Sequence, residues 1–335
     1  MVVWDPPIRD YQFLYHELLP AIDTVQRLGY TDFDADFLDS LIEGWATHCE
    51  EVWLPINQLG DSEGLKFEDG KITMPQEFKD AYRQGIDEGW LSTTCKPEHG
   101  GMGVPLFFQA VTWAEFGTSA CMALSVLPAL SIGVYEVLVK HGRQDLIDHF
   151  ATNLASGIWS GTMCLTEPHS GTDLGIIETK AIPQEDGSYR ISGSKCFITY
   201  GEHDMGENIV HLVLAKAPGG GEGTRGISLF LVPKFLPEDW KSGGLDGISH
   251  SLSSEHNGVI CSGTEEKMGL HASPTCVMSF EQSTGWLVGP LHGGMPLMFE
   301  MMNRERLATG LMGVGLAHAA YVNSLAWARE RRQGR

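Results

Sequence analysis

The sequence predicts an α+β protein in which a helical block, a β block and a second helical block follow one another. Three observations predict it. From Arg9 to about Ala155 apolar residues recur at three-to-four spacing. After Ile158 the pattern shortens to the β-branched and aromatic runs typical of strands. From Met295 to Arg331 the helical period returns, rich in Ala, Leu and Met. Segregated blocks suit cooperating domains rather than an alternating β-α-β fold. We expect an N-terminal helical domain over 1–158, a middle β barrel or sandwich over 159–289, and the first part of a C-terminal helical domain over 290–335.

In the first block YQFLYHELLPAI, FLDSLIEGWATHCEEVWLPI and LFFQAVTWAEF carry the helical period, and the polar, Gly-rich stretches LGDSEG and KPEHGGMGVP separate helices. ACMALSVLPALSIGVYEVLV, Ala120 to Val139, is long enough to span a bilayer. Pro128, Gly133 and Glu136 interrupt it, and no aromatic belt or positive flank frames it, so a buried pair of helices is expected. In the second block YRISGSKCFIT, NIVHLVLAK, GISLFLVPK and TCVMSFE read as strands joined by turns.

The chain has 335 residues, 42% hydrophobic and 20% charged, enough for substantial cores. A formal charge of −20 argues against nucleic-acid binding, which depends on clustered Lys and Arg. Seven scattered cysteines without a C-x-x-C are expected to be reduced thiols. The opening MVVWDPPIRD has neither a basic, apolar leader nor an Arg/Ser-rich one, so a cytoplasmic location is expected.

MCLTEPHSGTDLG, Met163 to Gly175, gathers hydroxyls, an acid, a proline and glycines where a loop would present N–H groups outward. It reads as a loop that grips something polar, or as a plain surface turn. Gly221, Gly223 and Gly226 spell G-x-G-x-x-G, but they lead into a strand rather than a helix, so a hairpin loop is expected. Glu202, His203, Asp204 and Glu207 lack converging ligand spacing and read as a solvated loop, with no metal. No G-x-S-x-G elbow is present.

Six ordered elements then find a common frame. MCLTEPHSGTD resembles the T-E-P-x-x-G-[ST]-D loop of the acyl-CoA dehydrogenase family, and ISGSKCFITYGEHD its G-x-K-x-[FW]-I-[TS] strand. EHGGMGV, KMGLHASPT, MMNRERLATGLMGVGLAHAAY and ARERRQ are similar to four further family segments, in the family's order. The opening DPPIRDYQFL, the loop HSLSSEHNGVIC and TCVMSFEQSTGWLVG resemble the larger bacterial branch, which includes methylmercaptopropionyl-CoA dehydrogenase-like enzymes. GEHD stands where the family usually has N-G, which alters the rim of the expected pocket.

The resemblance implies an FAD-dependent dehydrogenase that oxidises the α,β bond of an acyl-CoA and passes electrons to an electron-transferring flavoprotein. It implies that Met163, Leu165 and Thr166 line the flavin ring, that Phe197, Ile198 and Thr199 close its other face, and that Thr172 and Arg306 meet the substrate. Arg331 and Gln333 stand where family members reach a neighbouring subunit's FAD, which implies a homodimer or homotetramer. For the α-proton it leaves two bases: Glu305 in NRERLATG, or a carboxylate downstream of residue 335, where family members carry further helices. A flavin-dependent monooxygenase and a non-catalytic subunit of a two-chain enzyme are the alternatives on the same scaffold.

Overall fold

The computed structural model describes residues 3–238 and 252–334. Of the HSLSSEHNGVIC loop, His250 and Ser251 lie outside the described residues. The N-terminal region is built from α1 (Ile8–Gln12), α2 (Ala21–Arg27), α3 (Ala35–His48), α4 (Leu54–Glu63), α5 (Gln76–Asp87), α6 (Leu106–His141) and α7 (Gln144–Ser156). Asp34 caps α3 by accepting from the Phe37 N–H at 2.8 Å, and Leu38, Leu41, Ile42 and Trp45 form its buried stripe. Two short strands, β1 (Lys66–Glu68) and β2 (Lys71–Thr73), interrupt the helical block. Sequence periodicity passed over this hairpin because each arm has three residues. Its signal was the Asp69-Gly70 pair, whose φ values of 49° and 77° are those of a tight two-residue turn.

α6 corrects the expectation for Ala120–Val139. The structure does place a bent pair of helices there, but the break falls at Cys121 (φ −152°, ψ 90°), ahead of Pro128. Pro128 removes one helical donor and is carried inside the second half. Trp113–His141 is long and apolar enough to cross a membrane, and most of it is buried inside the protein. Its second half packs on α7, on β3 and on α8 (Gly294–Glu330).

The middle region holds β3 (Trp159–Cys164), β4 (Lys180–Pro183), β5 (Tyr189–Thr199), β6 (Asn208–Lys216), β7 (Ile227–Pro233), β8 (Phe235–Pro237), β9 (Leu252–His256), β10 (Val259–Thr264) and β11 (Thr275–Val288). The main sheet runs β10-β11-β5-β4-β6-β3, and β7 pairs with both β11 and β6. The path β11-β5-β4-β6-β7 therefore returns to β11, and the sheet closes on itself. β6 and β7 are buried almost throughout, which is why they read as continuous apolar runs rather than alternating ones. The G-x-G-x-x-G glycines form the turn between these two antiparallel strands, as expected from their context.

Gly161 of β3 lies against α6: a Cβ there would stand 2.7 Å from Val134, and the Gly161 N–H donates to the Ser131 hydroxyl at 3.1 Å. Tyr200, just past β5, donates its hydroxyl to the Ala123 carbonyl beside the α6 break at 2.7 Å. These contacts hold the middle of β3 and the end of β5 against one helix.

Candidate functional site

The loop after β3 and the end of β5 meet side by side. The Cys196 N–H donates to the Thr166 carbonyl at 2.9 Å, and Glu167 and Ser170 exchange backbone hydrogen bonds of 2.8 and 2.9 Å. Ser170 donates its hydroxyl to the Asp173 carbonyl at 2.6 Å, while Asp173 accepts from the Gly175 N–H at 2.9 Å. The hydroxyls, acid and glycines of the loop thus close its own turns. Beneath it, Glu167 accepts from the Glu178 N–H at 2.6 Å, the Thr179 N–H at 3.1 Å, the Thr179 hydroxyl at 2.6 Å and Lys195 at 2.8 Å. Burial works to raise the Glu167 carboxyl, but these donors outweigh it and hold the group below the usual carboxylate range.

On β5 the register slips. Cys276 pairs with Ile198 and Met278 with Lys195, so β5 carries one residue more than β11 across this step. Phe197 occupies that bulge with φ 60° and is 62% exposed. A bulky side chain in the left-handed region is a backbone outlier. The bulge breaks the strand's alternation and turns the ring outward, whereas Ile198 next to it is buried.

Among the sequence-derived candidates, Met163, Thr166 and Thr199 are half-buried at this rim, and Leu165 and Ile198 belong to the core. The side chains of the last two therefore do not reach the rim. Among the described residues the Thr166 N–H has no acceptor. Thr172 is exposed on the loop. Arg306 is exposed on α8, donating to Asn303 at 2.8 Å with its guanidinium 5.2 Å above the Phe299 ring. Arg331 and Gln333 lie past the end of α8 and are exposed. Twenty-five residues of helix separate Arg306 from Arg331, roughly 37 Å at 1.5 Å per residue, so the two cannot serve one end of a single bound molecule.

Glu305 is set differently. Its carboxyl faces α6, where a Cβ on Gly133 would lie 3.4 Å from Oε1, and that oxygen is sealed from solvent without a hydrogen-bond partner. It borders a narrow recess of about 60 Å³ walled by Trp45, Trp53, Trp90, Trp113, Pro128 and Ile132. Burial pushes its carboxyl above the usual range, Arg304 pulls it back, and Glu136 adds to the rise. Glu305 is thus half-buried, with its Oε1 edge turned onto α6.

The Glu202–Asp204 segment corrects the expectation of a solvated loop. Glu202 is buried and pairs with Lys234 at 2.5 Å, and Asp204 accepts from Lys79 and the Met74 N–H. Burial, with Lys234 adding to it, pushes His203 down to about 3, so it is neutral. Its Nε2 bonds the Ser160 hydroxyl at 2.8 Å and its Nδ1 accepts from the Met205 N–H at 3.2 Å, leaving neither nitrogen for a metal. No cluster able to hold a metal occurs among the described residues. All seven cysteines are free and buried.

Sequence reasoning missed Lys195 and Glu167. Their signal was a lysine inside an apolar strand and an acid at the strand end opposite, both of which need a partner if buried.

Comparison with known proteins agrees with this architecture. The family descriptions "Acyl-CoA dehydrogenase, N-terminal domain" and "Acyl-CoA dehydrogenase, middle domain" match residues 65–158 and 162–283. The chain is 40% identical over its whole length to 3-methylmercaptopropionyl-CoA dehydrogenase of Ruegeria pomeroyi, covering 55% of that protein. Butyryl-CoA dehydrogenase of Megasphaera elsdenii superimposes with a TM-score of 0.70 at 19% identity, over 89% of this chain and 70% of that one. An acyl-CoA dehydrogenase of Bacillus anthracis, solved complexed with FAD, superimposes with a TM-score of 0.69 at 22% identity, over 91% of this chain and 46% of that one. The chain spans about half the length of the curated relatives it matches. With both family domains matched in order on an α+β fold of the same design, the chain belongs to the acyl-CoA dehydrogenase family.

Proposed function

We propose that this chain holds FAD at the β3 and β5 ends and serves an acyl-CoA dehydrogenase that converts an acyl thioester to its trans-2-enoyl-CoA. Phe197 carries the reading. Backbone strain of its kind costs about 1–3 kcal/mol and persists where the surroundings over-determine it, often at ligand sites. A planar, partly polar guest fits the rim: an exposed aromatic ring, the Thr166 hydroxyl and acceptor-free N–H, and Thr199. The FAD-bound relative and the acyl-CoA named for the curated relative support the same choice.

Bound FAD would supply the two-electron acceptor for hydride leaving the β-carbon. Thr166 donates toward the negative charge that develops, and a donor fixed in advance stabilises it without rearrangement. The exposed Phe197 ring would pack on the bound flavin and exclude water. Glu305 takes the α-proton; burial makes it a stronger base than an exposed carboxylate. Thr172 and Arg306, both exposed, hold the polar part of the acyl-CoA. Arg331 and Gln333 reach the FAD of a second subunit, which makes the working unit a homodimer or homotetramer. We place it in the cytoplasm with an electron-transferring flavoprotein as its oxidant.

Titration of the purified protein with FAD tests the reading. Saturable uptake of one FAD per chain, with an oxidised band near about 450 nm, is the expected result. Free FAD left unchanged by excess protein would overturn it.

A further inference from the structure

Lys195 is completely buried, yet its Nζ does more than neutralise Glu167. It donates to the Leu165 carbonyl at 2.9 Å and to Glu167 Oε1 at 2.8 Å. The Leu165 carbonyl belongs to the same peptide unit as the Thr166 N–H, the group without an acceptor. A cation on the oxygen of an amide draws electron density from its nitrogen and makes the N–H a stronger donor, as hydrogen bonds in a chain strengthen one another at low dielectric. The carboxylate is itself held by the Glu178 N–H and by the Thr179 N–H and hydroxyl. β4 and β5 approach closely enough for this only because residue 193 is glycine, at φ 154°; a Cβ there would collide with Thr179.

Stability alone is a poor reason for such a pair. Replacing a buried ion pair by apolar groups of similar size is often neutral or stabilising. Nor does a clamp need the ammonium on the Leu165 carbonyl, since Glu167 already ties residue 167 to residues 178 and 179.

We propose that Lys195, countered by Glu167, is a positioning residue that polarises the Leu165–Thr166 peptide and thereby sets how strongly the Thr166 N–H donates to the flavin. The inference deepens the flavin reading and rests on it. Lys195 touches neither substrate nor cofactor; it acts through one peptide bond.

The test uses two charge-balanced double variants, so that no unpaired charge is left buried. Lys195→Met with Glu167→Gln removes the cation and its donor. Lys195→Gln with Glu167→Gln keeps a neutral donor for the Leu165 carbonyl and stands in if the first variant fails to fold. Each is loaded with FAD, and the flavin's reduction potential and anaerobic reduction rate by butyryl-CoA are measured. Amide exchange at Glu178 and Thr179 is read in the FAD-free proteins. The first variant should show a more negative potential and reduction slowed about tenfold, the low end for outer partners of a reactive centre. The second should fall between it and wild type. Faster exchange at Glu178 and Thr179 with potential and rate unchanged would mean a structural clamp only and would overturn the proposal. If wild type itself takes up no FAD, the flavin reading fails and takes this inference with it. If wild type takes up FAD and both variants match it, this inference alone fails.

Discussion

Replacing Phe197 by glycine separates a binding role from a folding role, because the two predict opposite outcomes. The residue sits at φ 60°, and a left-handed conformation costs an L-residue roughly 1–2 kcal/mol that glycine does not pay. Glycine gives back about 0.5–1 kcal/mol through its extra freedom in the unfolded chain. The ring is 62% exposed, so little more than a third of its surface is buried. Full burial of such a side chain is worth about 1.5–3 kcal/mol, so the lost contact costs roughly 1 kcal/mol. The terms nearly cancel, and Phe197→Gly should shift the stability of the FAD-free protein by less than about 1 kcal/mol, against about 3–5 kcal/mol for truncating a core phenylalanine. FAD affinity should fall about tenfold, since an aromatic contact adds about 0.5–1.5 kcal/mol beyond the area it covers. Urea unfolding without FAD and flavin-fluorescence titration measure the two quantities. A loss above about 2 kcal/mol in the first, or unchanged FAD affinity in the second, would refute the reasoning.

Thr166→Val keeps the β-branched shape and deletes one donor, so flavin reduction by acyl-CoA should slow about 10²–10³-fold in stopped-flow traces while the melting temperature stays put. Gly161→Ala sets a methyl 2.7 Å from Val134 and should destabilise the fold by about 1–3 kcal/mol in urea. Burial, opposed by Arg304 and aided by Glu136, holds Glu305 above its ordinary 4.5, so the folded chain keeps this proton more tightly than the unfolded one. Its stabilising contribution is complete below the unfolded value and is lost as pH rises through the raised folded value. Wild type should therefore fall increasingly behind Glu305→Gln as the pH climbs from 4.5, and parallel melting curves would contradict this. The same variant should abolish anaerobic flavin reduction; reduction at the wild-type rate would assign the base to another residue.

The block order was legible because period and residue type change sharply near Ile158 and again near Met295. The β1–β2 hairpin was not, because its three-residue arms carry no measurable period and only the Asp69-Gly70 turn marks it. The break in α6 escaped because Cys121 has no helix-breaking chemistry; tertiary contacts such as that of Tyr200 with Ala123 surround it. Residue types alone marked the loop after β3, and the β5 end became a candidate only through the family resemblance. The bulge that turns Phe197 outward depends on pairing with β11, eighty residues away, and local sequence holds no trace of it. The burial of Glu202 and His203 has the same origin, since Lys234 and Ser160 come from other strands' ends. Charged residues in a polar stretch look solvated until the chain that covers them is placed.

The most direct test of the account is anaerobic titration of the FAD-loaded protein with butyryl-CoA, followed at the oxidised flavin band. Bleaching of that band, with formation of the trans-2-enoyl-CoA, is the expected result. A band that stays at full height with excess acyl-CoA, in protein that has demonstrably bound FAD, would contradict it.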